Sequence, residues 1–147
     1  MSYIHKKLGS VLVGAGTAKV TTATGVSVHS IAVLDQIKVD RIAAVVSTAI
    51  DNDLVAAVMT VKRRPTYGST VGEVSIGTLT FPDGTAAGKV LYKDVNPVVC
   101  YPGDQIVFEI TTAGTDGAAA AGAAIGMVSC EEDPEVPGNQ GDMVASA

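Results

Sequence analysis

The chain has 147 residues, 47% of them hydrophobic, 17% charged and only 4% aromatic, with no Trp and a net charge of −5. That length suits one domain with a real core, and the apolar content excludes global disorder. Val, Ile and Thr number 22, 9 and 14 against 6 Leu, 5 Glu and 7 Lys, which excludes a helical bundle; no run nears the ~20 apolar residues of a membrane span, and an acidic chain has no electrostatic reason to bind nucleic acid.

In chain order, residues 1–30 are rich in Gly, Thr, Ala and Val and read as an N-terminal arm with edge strands. Lys6 and Lys7, followed by a short apolar patch and small residues, outline a weak secretory signal. Gly9 and Ser10 break that patch, so no signal is expected. The first strong strand is Ile37-Lys38-Val39-Asp40, which alternates apolar and charged residues. Arg41 follows Asp40 directly, and a β-bulge or a crossing between sheets would explain the lost alternation. Val45, Val46 and Ile50 carry the run to a turn at Asp51-Asn52-Asp53. Leu54 to Val61 is apolar on both faces, the pattern of a strand covered on one side by a second sheet and on the other by a neighbouring subunit.

Lys62-Arg63-Arg64-Pro65 ends that strand. Val74, Ile76 and Leu79 to Phe81 give one or two short strands, and Pro82-Asp83-Gly84 is a turn. Gly84 to Lys89 reads as a hairpin loop, Val90 to Tyr92 as another short strand, and Asn96-Pro97 as the entry to Val98-Val99-Cys100-Tyr101. Pro102-Gly103-Asp104 is a strong turn signal before Gln105 to Thr111, where Ile106, Phe108 and Ile110 share one face. In 118–128, alanines and the Gly122/Gly126 spacing suit a packed helix, but two glycines and no apolar stripe favour a strand of small residues. The core is expected over 31–130, with 131–147 as an acidic C-terminal tail. Seven to nine short strands imply an all-β, single-domain β-sandwich or jelly roll with extended N- and C-terminal arms.

The chemistry-bearing motifs are incomplete. Gly14-Ala15-Gly16 lacks the third glycine of a dinucleotide fingerprint, because Lys19 stands there. Gly84-Thr85-Ala86-Ala87-Gly88-Lys89 is one residue short of a phosphate loop, and Val90 replaces its Ser or Thr. Asp51-Asn52-Asp53 offers oxygen ligands for calcium but has neither the glycine nor the late glutamate of an EF-hand. His5 and His29 have no partner at metal-ligand spacing, and Cys100, inside an apolar strand, reads as a buried thiol, as does Cys130. No catalytic residue, metal or cofactor is expected. Lys62-Arg63-Arg64 is the one basic cluster, either a solvated strand end or a contact for the acidic tail of a neighbouring copy.

Taken together, the Gly/Ala/Thr/Val-rich composition, the Pro102-Gly103-Asp104 turn into an alternating strand, the Gly/Ala-rich strand after it and the tail Glu131-Glu132-Asp133-Pro134-Glu135 resemble the small β-proteins of tailed bacteriophages that decorate or cement the capsid. The resemblance covers residues 37–135, and the Pro-Gly-Asp turn also occurs in cupins, whose histidine and glutamate metal ligands are missing here. It implies a virion protein, made in the host bacterial cytoplasm, that sits on the capsid surface as a homodimer or homotrimer. Its partners would be the major capsid protein and itself, with no nucleic acid and no membrane. Candidate subunit contacts are the apolar strand Leu54 to Val61 and the small-residue strand Ala118 to Val128; single candidate contact residues are Tyr3 and Ile4 in the N-terminal arm, Val55, Met59, Arg63, Arg64 and Tyr67 around the apolar strand, and Glu131, Glu132 and Val136 in the tail. The alternative is another virion component or a carbohydrate-binding module, such as a tail or fibre domain, for which the tyrosines would be the sugar platform.

Overall fold

The computed structural model describes residues 5–13, 28–33, 36–65, 69–116 and 121–132. Rich in β-branched residues, these segments form eight strands: β1 His5–Val13, β2 Val28–Ala32, β3 Ile37–Asp51, β4 Ala57–Arg64, β5 Val74–Phe81, β6 Val90–Cys100, β7 Gln105–Thr112 and β8 Ala121–Glu132. β4 pairs with β5, β3 with β6, β2 with β7 and β1 with β8, all antiparallel. The chain is therefore one long nested hairpin with its tip between β4 and β5. Rolling it up places alternate pairs in different sheets, giving a first sheet ordered β1-β8-β3-β6 and a second ordered β2-β7-β4-β5. The fold is an all-β, single-domain sandwich with jelly-roll topology.

The core lies between the sheets. Ile37, Val39, Ile42 and Val46 of β3 face Met59 and Val61 of β4 and Ile106, Phe108 and Ile110 of β7, and all are buried. Burying one such side chain stabilises the fold by about 1.5–3 kcal/mol. The sheets approach closely where Gly126 of β8 meets Phe108: a Cβ at Gly126 would lie 2.6 Å from Phe108 Cδ1.

Of the bulge or crossing between sheets expected at Asp40-Arg41, the structure has the bulge. Both ladders of β3 shift register between Val39 and Arg41, so Arg41 turns outward while Ile42 stays in the core. The Pro102-Gly103 turn is built as its residue types dictate. Gly103 takes φ +91°, the Asp104 N–H donates to the Tyr101 carbonyl at 3.0 Å, and Asp104 Oδ2 accepts the Tyr101 N–H at 2.8 Å. Residues 118–128 were expected as a strand of small residues, and β8 begins at Ala121 and continues through Glu131 and Glu132, two residues beyond the expected end of the core. The signal-like start is strand β1, paired with β8.

Three expectations are corrected. The strand expected over Leu54 to Val61 begins only at Ala57; Leu54 and Val55 precede it and are 66% and 44% exposed. Val90–Cys100 is one strand, not two. Pro97 is tolerated inside it because β6 is the edge of its sheet, where a missing N–H breaks no ladder. Gly84 to Lys89 is no hairpin loop but a crossover from the second sheet to the first. It hydrogen-bonds along the end of β3, through Gly88 N–H to Val46 O at 2.7 Å and Ile50 N–H to Thr85 O at 2.9 Å. Of the one or two strands expected over Val74 to Phe81, the structure has one, β5.

Candidate interaction surface

On the second sheet, β4 and β7 send Thr60, Lys62 and Arg64 and Gln105, Val107, Glu109 and Thr111 outward. The polar side chains of this outer face pair with one another. Lys62 Nζ donates to Glu109 Oε2 at 2.8 Å and lies 3.6 Å from Glu73, Arg64 Nε donates to Glu73 Oε1 at 2.6 Å, and the Thr60 and Thr111 hydroxyls share a 2.8 Å hydrogen bond. The hydrogen bond to Glu109 raises the Lys62 ammonium above its ordinary pKa. Val107 is wholly buried here although it points away from the core.

The outer face of the first sheet is different. Register places Tyr92 of β6, Ala43 of β3 and Met127 of β8 in one row, and Val90, Val45 and Ile125 in the next. Tyr92 is 62% exposed and Val90 52%. Beyond the Tyr92 row lies a charged one. Arg41 Nε donates to Asp94 Oδ1 at 2.6 Å, both side chains are largely exposed, and the Arg41 guanidinium sits 4.8 Å from the Tyr92 ring centroid. Asp40, Arg41, Asp94 and Ser129 line a hollow of about 600 Å³ beside the bulge. The face therefore carries a two-row apolar block with a charged rim.

A second exposed apolar feature is at the loop end. Leu54 and Val55 are held there by a backbone bridge to Thr115, in which the Thr115 N–H donates to Val55 O at 3.0 Å. Asp51 lies in the same loop cluster, and its hydrogen bond with Asp116 raises its carboxyl above the usual range, with Asp83 and Asp53 adding repulsion. Asn52 is buried; its N–H donates to Asp83 Oδ1 at 2.8 Å and its Nδ2 to Phe81 O at 3.2 Å. These bonds pin the Asp51-Asn52-Asp53 turn to its neighbour. Among the described residues no group of three or more His, Cys, Asp or Glu is placed to hold a metal ion.

The expected contact residues scatter. Tyr3, Ile4, Tyr67 and Val136 lie outside the described residues. Val55 is exposed at the loop end, but Met59 is wholly buried between the sheets and cannot be a contact. The basic cluster is paired within the chain and only partly exposed. Lys62 and Arg64 hold Glu109 and Glu73, and Arg63 Nε donates to Asp104 Oδ2 at 2.6 Å with its guanidinium 5.2 Å from the Tyr101 ring centroid. Glu131 and Glu132 belong to β8, opposite Lys38 and Ile37 of β3. Of the exposed block, Ile125 and Met127 lie in the strand 118–128 expected as a subunit contact, whereas Tyr92, Val90 and Val45 were not among the expected contacts, although Ile42–Val46 is apolar on both faces.

Cys100 and Cys130 are buried thiols and form no disulfide. They lie on β6 and β8 with β3 between them, which separates their Cα atoms by more than about 9 Å, beyond disulfide reach. Burial pushes the Cys100 thiol up to about 12.

No helix among the described residues is long and apolar enough to cross a membrane. No family model matches the chain, and no curated protein matches it. Among solved structures it is similar to a chain in the structure of infectious bursal disease virus, Gx strain, at 13% identity and a TM-score of 0.37. The match covers 96% of this chain, which spans 36% of the length of the other. At that identity and score, the likeness is no guide to what this chain does.

Proposed function

We propose that the chain is a structural virion protein that works by binding and not by catalysis: a decoration protein that docks on the outer face of an assembled phage head. The observation that carries this reading is the apolar surface that a small jelly roll leaves exposed in two separate places, the block around Tyr92 and Val90 and the loop end at Leu54 and Val55. A protein with two such surfaces is suited to sit between other proteins. The resemblance to phage decoration proteins supplies the kind of partner, the major capsid protein. The mechanism is mass action: a ligand that binds the assembled lattice and not the unassembled coat protein stabilises the lattice.

The loop end is the contact assigned to the head. The test is co-sedimentation of the full chain with expanded, undecorated heads of its phage and, separately, with unassembled coat protein. Saturable binding to heads alone, weakened in a variant carrying Leu54→Ser and Val55→Ser, is expected. Equal binding to unassembled coat protein, or none to heads, would overturn the reading. A carbohydrate-binding module remains the second reading, because Tyr92 is an exposed ring on a flat sheet face. One face of that ring, however, is taken by Arg41. Glycan-array binding that vanished on Tyr92→Ala would favour it.

A further inference from the structure

On the first sheet's open face the neighbouring columns β6 and β3 combine one like row with two unlike ones. In successive rows Val90 stands beside Val45, the large Tyr92 beside the small Ala43, and Asp94 beside Arg41. A two-fold axis running along the strands between these columns exchanges them. A second copy laid face to face about that axis therefore sets each residue opposite its complement. Isologous contacts require this self-complementarity, and packed sheets keep their strands nearly aligned.

We propose that the outer face of the first sheet is a self-docking surface, occupied by a second copy of this chain with Tyr92 over the partner's Ala43 and Asp94 against the partner's Arg41. Charge commits the face to this occupant. Arg41 pairs with Asp94 through its Nε while both side chains stay largely exposed, and in the face-to-face copy it also lies opposite the partner's Asp94, so the two pairs can close into a ring of four charges. A partner with a single sign of charge at this rim would leave one member of the pair facing its like. The hollow beside the bulge, lined by Asp40, Arg41, Asp94 and Ser129, gives that ring room.

The contact is two strands wide and as long as β6, 11 residues. At about 4.8 Å per strand and 3.3 Å per residue its footprint is on the order of 350 Å² per copy, under half of the ~800 Å² per partner of a standard interface. The dimer is therefore weak in dilute solution and strengthened wherever copies are held side by side. This inference does not rest on the shell reading: it concerns a different surface from Leu54 and Val55, and its test needs no phage head.

The test is sedimentation velocity of the full chain from about 10 μM to 1 mM, a range that brackets a weak dimer. The native chain is expected to dimerise reversibly. R41D places Asp against Asp and D94R places Arg against Arg, so each alone should weaken the dimer more than about tenfold. An equimolar mixture of the two should dimerise again, because only the mixed pair restores opposite charges at both contacts. Thermal melts of each variant confirm that the sandwich is intact. A native chain monomeric throughout, a dimer that neither variant weakens, or a mixture no tighter than its components would each overturn the proposal.

Discussion

The two sheets of this sandwich share one core but treat their outer faces oppositely. On the second sheet, Lys62, Arg64, Glu73 and Glu109 pair with one another while keeping only 15–23% of their side-chain surface exposed, and Val107 is buried although it faces away from the core. On the first sheet, Tyr92 and Val90 stand exposed beside an ion pair that is mostly in water. The closed face satisfies its polar groups within the chain, so a partner landing there would have to break hydrogen bonds. The open face offers apolar area with little to break. Where a chain leaves its own surface unsatisfied is where association is cheapest, and the sheet that carries the basic cluster is the wrong side to look.

Two outward valines test that contrast most severely. Val107→Asp would bury an uncompensated charge and should cost about 3–5 kcal/mol in urea denaturation. Val90→Asp, at a position already 52% exposed, should cost less than about 1 kcal/mol. Equal costs would break the comparison. The ion pairs come next. Lys62→Met strands Glu109 in a half-buried setting, while Glu73 keeps Arg64, and should lose about 1–3 kcal/mol, whereas Arg41→Met should leave the urea midpoint of the monomer where it is. The smallest effect at neutral pH concerns the inner side of the open sheet, which should be as sealed as the closed one. Cys100 is raised to about 12, so its contribution to stability is intact below the unfolded thiol value near ~8.5 and is lost as pH rises towards the folded value. Native protein at pH 8 should resist thiol reagents that modify it at once in urea. Rapid labelling without urea would mean that the openness reaches the core.

Much of this fold could be read from single residues. The adjacent Asp40 and Arg41 announced a bulge because one inserted residue is the cheapest way to keep both Val39 and Ile42 in the core. Pro102-Gly103-Asp104 announced its turn because proline presets φ, glycine accepts the left-handed angle and aspartate caps the backbone. What the sequence hid was which apolar run lies where. Leu54 to Val61 and Ile42 to Val46 look alike, but Leu54 and Val55 fall on a crossover between sheets, and only the pairing of β3 with β6 and β8 shows that Ala43 and Val45 face outward in the middle of a sheet. Tyr92 and Val90 gained their meaning from residues almost 50 positions away. The basic cluster misled for the same reason, since its partners Glu109 and Asp104 come from a strand and a turn no local pattern connects to it.

The nested hairpin also sets an order of events in time. Arg63 and Val74 pair across a short loop at the tip, whereas His5 and Glu131 close almost the whole chain. Closing the outer pair directly would cost about 2 kcal/mol more in loop entropy than closing the inner one. If the inner pairs form first, each later closure is short, so the chain zips outward from β4 and β5 and β1 joins last. Pulse-labelled hydrogen exchange during refolding should protect β4 and β5 before β1; simultaneous protection would exclude zipping. In that order β8 closes with β1 in the last step, so Met127 and Ile125 complete the open face only after the second sheet has formed.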